Sequence, residues 1–120
     1  MSEKPVLERL QVKGGRSLAV IDAPSGIPGL DEGAVATPDQ ADVLLIFCGD
    51  RARFEAAVPD VASRMQPGAI LWVAYPKLTS PLAGDLNRNW IHDRVPDWGL
   101  DTVSQIAIDA DWSAMRMKRA

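Results

Sequence analysis

Three apolar runs of strand length, Leu18–Ile21, Val43–Phe47 and Ile70–Ala74, constrain the fold of this 120-residue chain more than any other feature. A strand with one face in water alternates apolar and polar residues. These runs do not alternate, so both of their faces must be covered, as in a parallel sheet flanked by helices. Between the second and third runs, Asp50 is placed to cap a helix running to about Met65. Phe54, Ala57, Val58, Val61, Ala62 and Met65 fall on one face of that helix. Pro59 interrupts the pattern and predicts a kink or a break, and Gln66-Pro67-Gly68 ends it. Strand, helix and strand within about thirty residues form a βαβ unit, whose crossover joins parallel neighbours.

The other segments are less regular. Val6 to Val12 is amphipathic and suits either a short helix or an extended arm, followed by a turn at Lys13-Gly14-Gly15-Arg16. Asp22 to Gly29 carries two prolines and two glycines and reads as a loop, and Ala34-Val35-Ala36 as a short edge strand. After the third strand, Pro76 to Gly84 reads as a loop. An irregular helix is expected over Asn89 to Trp98, burying Trp90, Ile91 or Val95, with Gly99 as its stop. Thr102 to Ile108 and Trp112 to Met117 alternate apolar and polar residues about Asp109-Ala110-Asp111, which predicts an antiparallel hairpin at the sheet edge. The expected fold is a single α/β domain: a mostly parallel, Rossmann-like sheet with helices on its faces and a C-terminal antiparallel hairpin.

Sixteen acidic against thirteen basic residues leave a net charge of -3, which gives no reason to expect nucleic acid or an anionic membrane as partner. The short basic run Arg116-Met117-Lys118-Arg119 reads as a solubilising end. One cysteine excludes an intramolecular disulfide, and no stretch reaches the ~18 apolar residues of a membrane span. A cytoplasmic location is expected.

In open α/β sheets ligands bind beyond the carboxyl ends of the strands. That edge would carry Asp22, Ser25 and Gly26 after the first strand, Cys48 to Asp50 after the second, and Tyr75 to Lys77 after the third. Thr79, Ser80, Asp85, Asn87 and Arg88 continue the last loop. Together these groups suit a small anionic ligand. The competing reading makes Asp85 and Asn87 caps of the following helix and pairs Lys77 and Arg88 in exposed ion pairs. Cys48 is either a thiol activated at a helix start or a buried small residue. His92 has no second histidine or cysteine at ligand spacing, so no metal is expected. Nucleotide-loop lysine, nucleophile-elbow and paired-histidine zinc motifs are absent from the sequence. Trp112, with Met115 and Met117, reads either as sheet packing or as a contact surface.

Leu71-Trp72-Val73-Ala74-Tyr75-Pro76-Lys77, Asp85-Leu86-Asn87-Arg88 and Gln105-Ile106-Ala107-Ile108-Asp109 with Trp112-Ser113-Ala114-Met115-Arg116 resemble a family of short bacterial proteins without assigned activity. That family's pattern is roughly LWVxYPKxSS, TDLxRD and VAIDxxWSALRF, and the likeness runs from about Gly15 to Met117. The resemblance implies a pared-down S-adenosylmethionine-dependent methyltransferase sheet, with the three apolar strands side by side. The chain departs from the pattern at Gly84, at Asn89 and at Leu78-Thr79, all in or beside the loop that would form a site. Asp22-Ala23-Pro24-Ser25-Gly26 also lacks the glycine pattern with which a methyltransferase approaches its cofactor. The expected function is therefore a non-catalytic methyltransferase-like domain that uses no cofactor and binds a protein partner or its own twin. The alternatives are a small-ligand or nucleotide-binding domain using the loop from Tyr75 to Arg88, and a true methyltransferase.

Overall fold

The computed structural model describes Leu10 and residues 17–21 and 40–119. Five strands and two helices follow in the order β1 (Leu18–Ile21), β2 (Val43–Phe47), α1 (Arg51–Arg64), β3 (Ile70–Pro76), α2 (Arg88–Arg94), a 3-10 turn (Val95–Trp98), β4 (Leu100–Ala107) and β5 (Trp112–Arg119). The expected features before Leu18 and between Asp22 and Ala36 lie outside the described residues, apart from Leu10.

The strands form one sheet in the order β1-β2-β3-β5-β4. β1, β2 and β3 pair in parallel, with Leu18 opposite Val43 and Val43 opposite Ile70, so the three apolar runs lie side by side as expected. The expected hairpin is present and forms one end of the sheet. β5 pairs antiparallel with both β3 and β4, so only β4 lies at the edge. After β3 the chain crosses over through α2 to the outermost position, and β5 returns into the gap. Four strands thus point one way and β5 alone runs counter to them.

That placement settles the residues of β5. Trp112, Met115 and Met117 are buried, which removes the reading of them as a contact surface. Phe47 and Trp112 meet edge to face at 5.0 Å on one side of the sheet, while Met115 and Met117 pack on the other. The basic run is likewise structural: Arg116 to Arg119 belong to β5. Arg119 Nη2 donates to Ala62 O at 2.6 Å, satisfying a carbonyl near the end of α1.

α1 keeps the predicted cap, with Asp50 accepting from Arg53 N, and buries Phe54, Val58 and Val61. It runs unbroken through Pro59, which has no N–H to give back to the carbonyl four residues earlier. α2 begins one residue earlier than expected and becomes a 3-10 turn at Val95, where Pro96 occupies its opening positions. Gly99 ends that turn at φ 74°, the left-handed region that favours glycine.

The sheet separates two apolar layers. Leu44, Ile46, Leu71, Val73, Tyr75 and Met115 face α1 and α2. Val43, Leu45, Phe47, Trp72, Ala74 and Trp112 form the second layer, where Trp72 Nε1 donates to Leu10 O at 2.9 Å. At the amino end of β2, Asp42 accepts from Ser17 N at 3.0 Å and from Gln66 Nε2 at 3.1 Å, tying β1, β2 and the end of α1 together.

Candidate functional site

Because β4 runs parallel to β3, the turn between β4 and β5 lies at the same edge as the carboxyl ends of β2 and β3. Three described segments therefore meet there: Cys48 to Asp50, Lys77 to Asn87, and the turn around Asp109 and Asp111. Asp22, Ser25 and Gly26 lie outside the described residues.

The loop after β3 is held by its own polar groups. Lys77 N donates to Asp111 O at 2.8 Å and Ser80 Oγ to Asp111 Oδ1 at 2.8 Å. The same Ser80 oxygen accepts from Leu82 N at 3.0 Å. Ser80 is buried, so its hydroxyl fastens the loop to the hairpin turn instead of facing a ligand. Asn87 Oδ1 accepts from Trp90 N and caps α2, as one of the two readings held. Asp85 corrects that reading: it accepts from Arg51 N at 2.9 Å and so caps α1, the preceding helix. A side chain at Gly84 would sit 3.7 Å from Gly49 O, which shows how closely the two loops approach.

All four aspartates described at this edge brace the protein itself. Asp50 and Asp85 receive N–H groups at the start of α1, Asp109 receives those of Asp111 and Trp112, and Asp111 holds Ser80. Among the described residues this edge offers no carboxylate free of such bracing. Lys77 and Arg88 differ from the aspartates. Neither forms an ion pair among the described residues, and Thr79 is exposed beside them. Arg88 lies near Tyr75, whose hydroxyl burial holds above its ordinary value of 10.0, with the Arg88 charge partly offsetting the rise.

Cys48 is fully buried, and that burial, with a smaller push from Asp50, raises its thiol from 9.0 to about 12. The activated-thiol reading is therefore overturned, since a thiolate is disfavoured here. In the unfolded chain the thiol ionises near pH 9, whereas in the native state it does not. The native state then holds more protons, so stability is full below about pH 9 and falls as pH rises toward 12. Urea midpoints at pH 8 and pH 10 should differ more for the native sequence than for Cys48→Ala, which removes the thiol but leaves Tyr75. An equal fall in both proteins would refute this account.

Sequence reasoning missed two arrangements around α2. First, Phe54 meets Trp90 edge to face at 5.3 Å and stacks on Trp98 at 5.7 Å. Arg51 lies over Trp90 at 5.1 Å, and Arg94 lies over Trp98 at 4.3 Å while pairing with Glu55 at 2.7 Å. The Arg51–Trp90 contact and the Arg94–Glu55 ion pair thus clamp α1 to α2. Alternating aromatic and basic residues near Trp90 were the available signal. Second, a groove of about 360 Å³ opens between α2 and β4, with Arg88, Asn89, His92 and Gln105 along its walls and Met115 among its lining. His92 Nδ1 lies 2.6 Å from Thr102 Oγ1. The sequence reading had weighed His92 only as a metal ligand. Among the described residues no cluster of histidine, cysteine and carboxylates could hold a metal, and no helix is long and apolar enough to cross a membrane.

Sheet order, the parallel βαβ unit and the returning antiparallel strand define a methyltransferase-like α/β fold, as the sequence resemblance implied. Solved structures agree with that class. A variant of LepI in complex with SAH and a substrate analogue superposes with a TM-score of 0.53 at 9% identity, over 96% of this chain and 39% of its own. LepI in complex with SAM gives 0.51 at 8% identity, with the same coverage of 96% and 39%. The mitomycin 7-O-methyltransferase MmcR gives 0.49 at 17% identity, over 71% of this chain and 31% of its own. This chain therefore spans well under half the length of these neighbours. No protein-family model matches the sequence, and no curated protein matches it.

Proposed function

We propose that this chain is a non-catalytic binding domain on a methyltransferase-like sheet, and that its carboxyl edge receives a small anionic ligand through Lys77 and Arg88. One observation carries the reading: every aspartate described at that edge is engaged in bracing loops and helix starts, while Lys77 and Arg88 have no ion-pair partner among the described residues. A general base needs a carboxylate or imidazole poised at the reacting atoms, and the described edge carboxylates accept from backbone N–H groups or, for Asp111, from the Ser80 hydroxyl. An unpaired lysine and arginine are the groups that recognise phosphate or carboxylate.

Thermal-shift measurements with inorganic phosphate, adenosine phosphates and S-adenosylmethionine test this. Phosphate-bearing compounds should raise the melting temperature, and Lys77→Ala and Arg88→Ala should each remove most of that rise. No shift with any of them would overturn the reading. Methyl transfer from bound S-adenosylmethionine would replace it with the enzymatic alternative.

A second reading, binding of a partner protein or of a second copy, is supported by the loop that Ser80 fastens. Leu78 and Leu82 on that loop are 71% and 52% exposed, although hydrogen bonds hold the loop in place. Light scattering and affinity pulldown compared between the native chain and Leu78→Ser with Leu82→Ser test it. A strict monomer that captures nothing would count it out.

A further inference from the structure

We infer that the groove between α2 and β4 is the body of a nucleotide-like ligand site, with the anionic end at Arg88 and a ring edge at the Asn89 and Gln105 carboxamides. This rests on the anion-binding reading above and extends it to the rest of the ligand. Of the predicted edge residues, Arg88 is the one that also lines this groove, so an anion held there has about 360 Å³ of adjoining space. That volume lies in the range of small-molecule sites.

The groove's chemistry narrows the occupant. The chain has more acidic than basic residues, yet none of the described residues lining this groove is a carboxylate. Its walls carry a guanidinium, an imidazole, two carboxamides and hydroxyls. Gln105 stands opposite Met115 in the strand register, and Met115 packs in the layer facing the helices. Directly opposed residues share a face, so Gln105 projects on the α2 side of the sheet. The register then slips between Thr102 and Ser104, leaving Val103 as the extra residue of a β-bulge. A bulge bends the strand and re-aims its side chains, here at the outer wall of the groove. Thr102 Oγ1 fixes the His92 ring through Nδ1, which leaves Nε2 as the ring's other hydrogen-bonding nitrogen.

Arg88 supplies paired donors for a phosphate. The Asn89 and Gln105 carboxamides each present a donor beside an acceptor, the complement of an adenine-type edge. A nucleoside monophosphate has both features, and inorganic phosphate has only the first.

Isothermal titration of the full chain with AMP, adenosine and inorganic phosphate tests the inference. AMP should bind at least tenfold more tightly than either part alone. Gln105→Ala, at an exposed position, should weaken AMP about tenfold, leave phosphate binding unchanged and leave the melting temperature of the free protein unchanged. Arg88→Ala should weaken both AMP and phosphate. If AMP and phosphate bind equally and both ignore Gln105→Ala, the groove plays no part, although anion binding at the edge stands. If neither binds, both readings fall. Chemical-shift changes confined to Lys77 to Ser80 on AMP addition would also overturn the groove assignment.

Discussion

Trp72→Ala should cost the protein about 3–5 kcal/mol of stability, the largest loss expected from any single truncation in the sheet. Trp72 sits in the middle of β3, between Leu45 on β2 and Arg116 on β5, and is 2% exposed. Its ring fills the layer opposite the helices, and its Nε1–H donates to Leu10 O. Truncation therefore opens a large cavity and leaves a buried carbonyl unpaired, two costs that add. Small domains hold only about 5–15 kcal/mol in all, so the variant should be partly unfolded at 37 °C. Trp72→Phe separates the two effects. It keeps most of the packing and loses the hydrogen bond, and should cost about 1–3 kcal/mol. Urea unfolding of the three proteins gives the values from midpoints at constant slope. A loss below about 1 kcal/mol for Trp72→Ala would mean that this layer is not a packed core.

Trp72 also shows why the scaffold was legible in the sequence. Buried parallel strands need unbroken apolar runs, and those runs can be read one residue at a time. The same holds for α1, where a polar cap and a 3.6-residue stripe are local signals, and Pro59 proved compatible with the helix it was expected to disturb. What local pattern does not encode is the order of strands. Alternation in β4 and β5 correctly predicted a hairpin, but nothing in it says that β5 enters the sheet between β3 and β4. For that reason the pattern leaves sheet packing and a contact surface both open for Trp112, Met115 and Met117, and only the fold assigns them to the core. The site was less legible still. Asp85 and Ser80 were read for ligand chemistry, and their partners, Arg51 N and Asp111, lie 34 and 31 residues away. A long-range brace and a ligand donor have the same residue type, and only the fold tells them apart. The groove beside α2 depends on the packing of a seven-residue helix against an edge strand, which no spacing in the chain reveals.

The second large effect is expected at Phe54, and it connects the core to the groove. Phe54 is fully buried on α1 and touches both Trp90 and Trp98, the residues that seat α2 and the turn after it. Phe54→Ala should cost about 3–5 kcal/mol by removing the aromatic centre of this packing. The loss should not be confined to α1. Without Phe54, Trp90 and Trp98 lose their common support, and the Arg51 and Arg94 contacts on their outer faces hold less firmly. Amide hydrogen exchange should then rise across α2 more than across β1 to β3, because the parallel sheet keeps its own ladder and its second apolar layer. Phe54→Leu, which retains most of the volume, should cost less and leave α2 protected. Uniform loss of protection through the whole sheet in Phe54→Leu would contradict this. The aromatic centre would then support the entire domain, and α2 would not be a separately anchored wall. Under the present account the groove keeps its shape only while Phe54 holds α2 against α1. Ligand affinity and the exchange protection of Arg88 to His92 should therefore move together, both kept in Phe54→Leu and both lowered in Phe54→Ala.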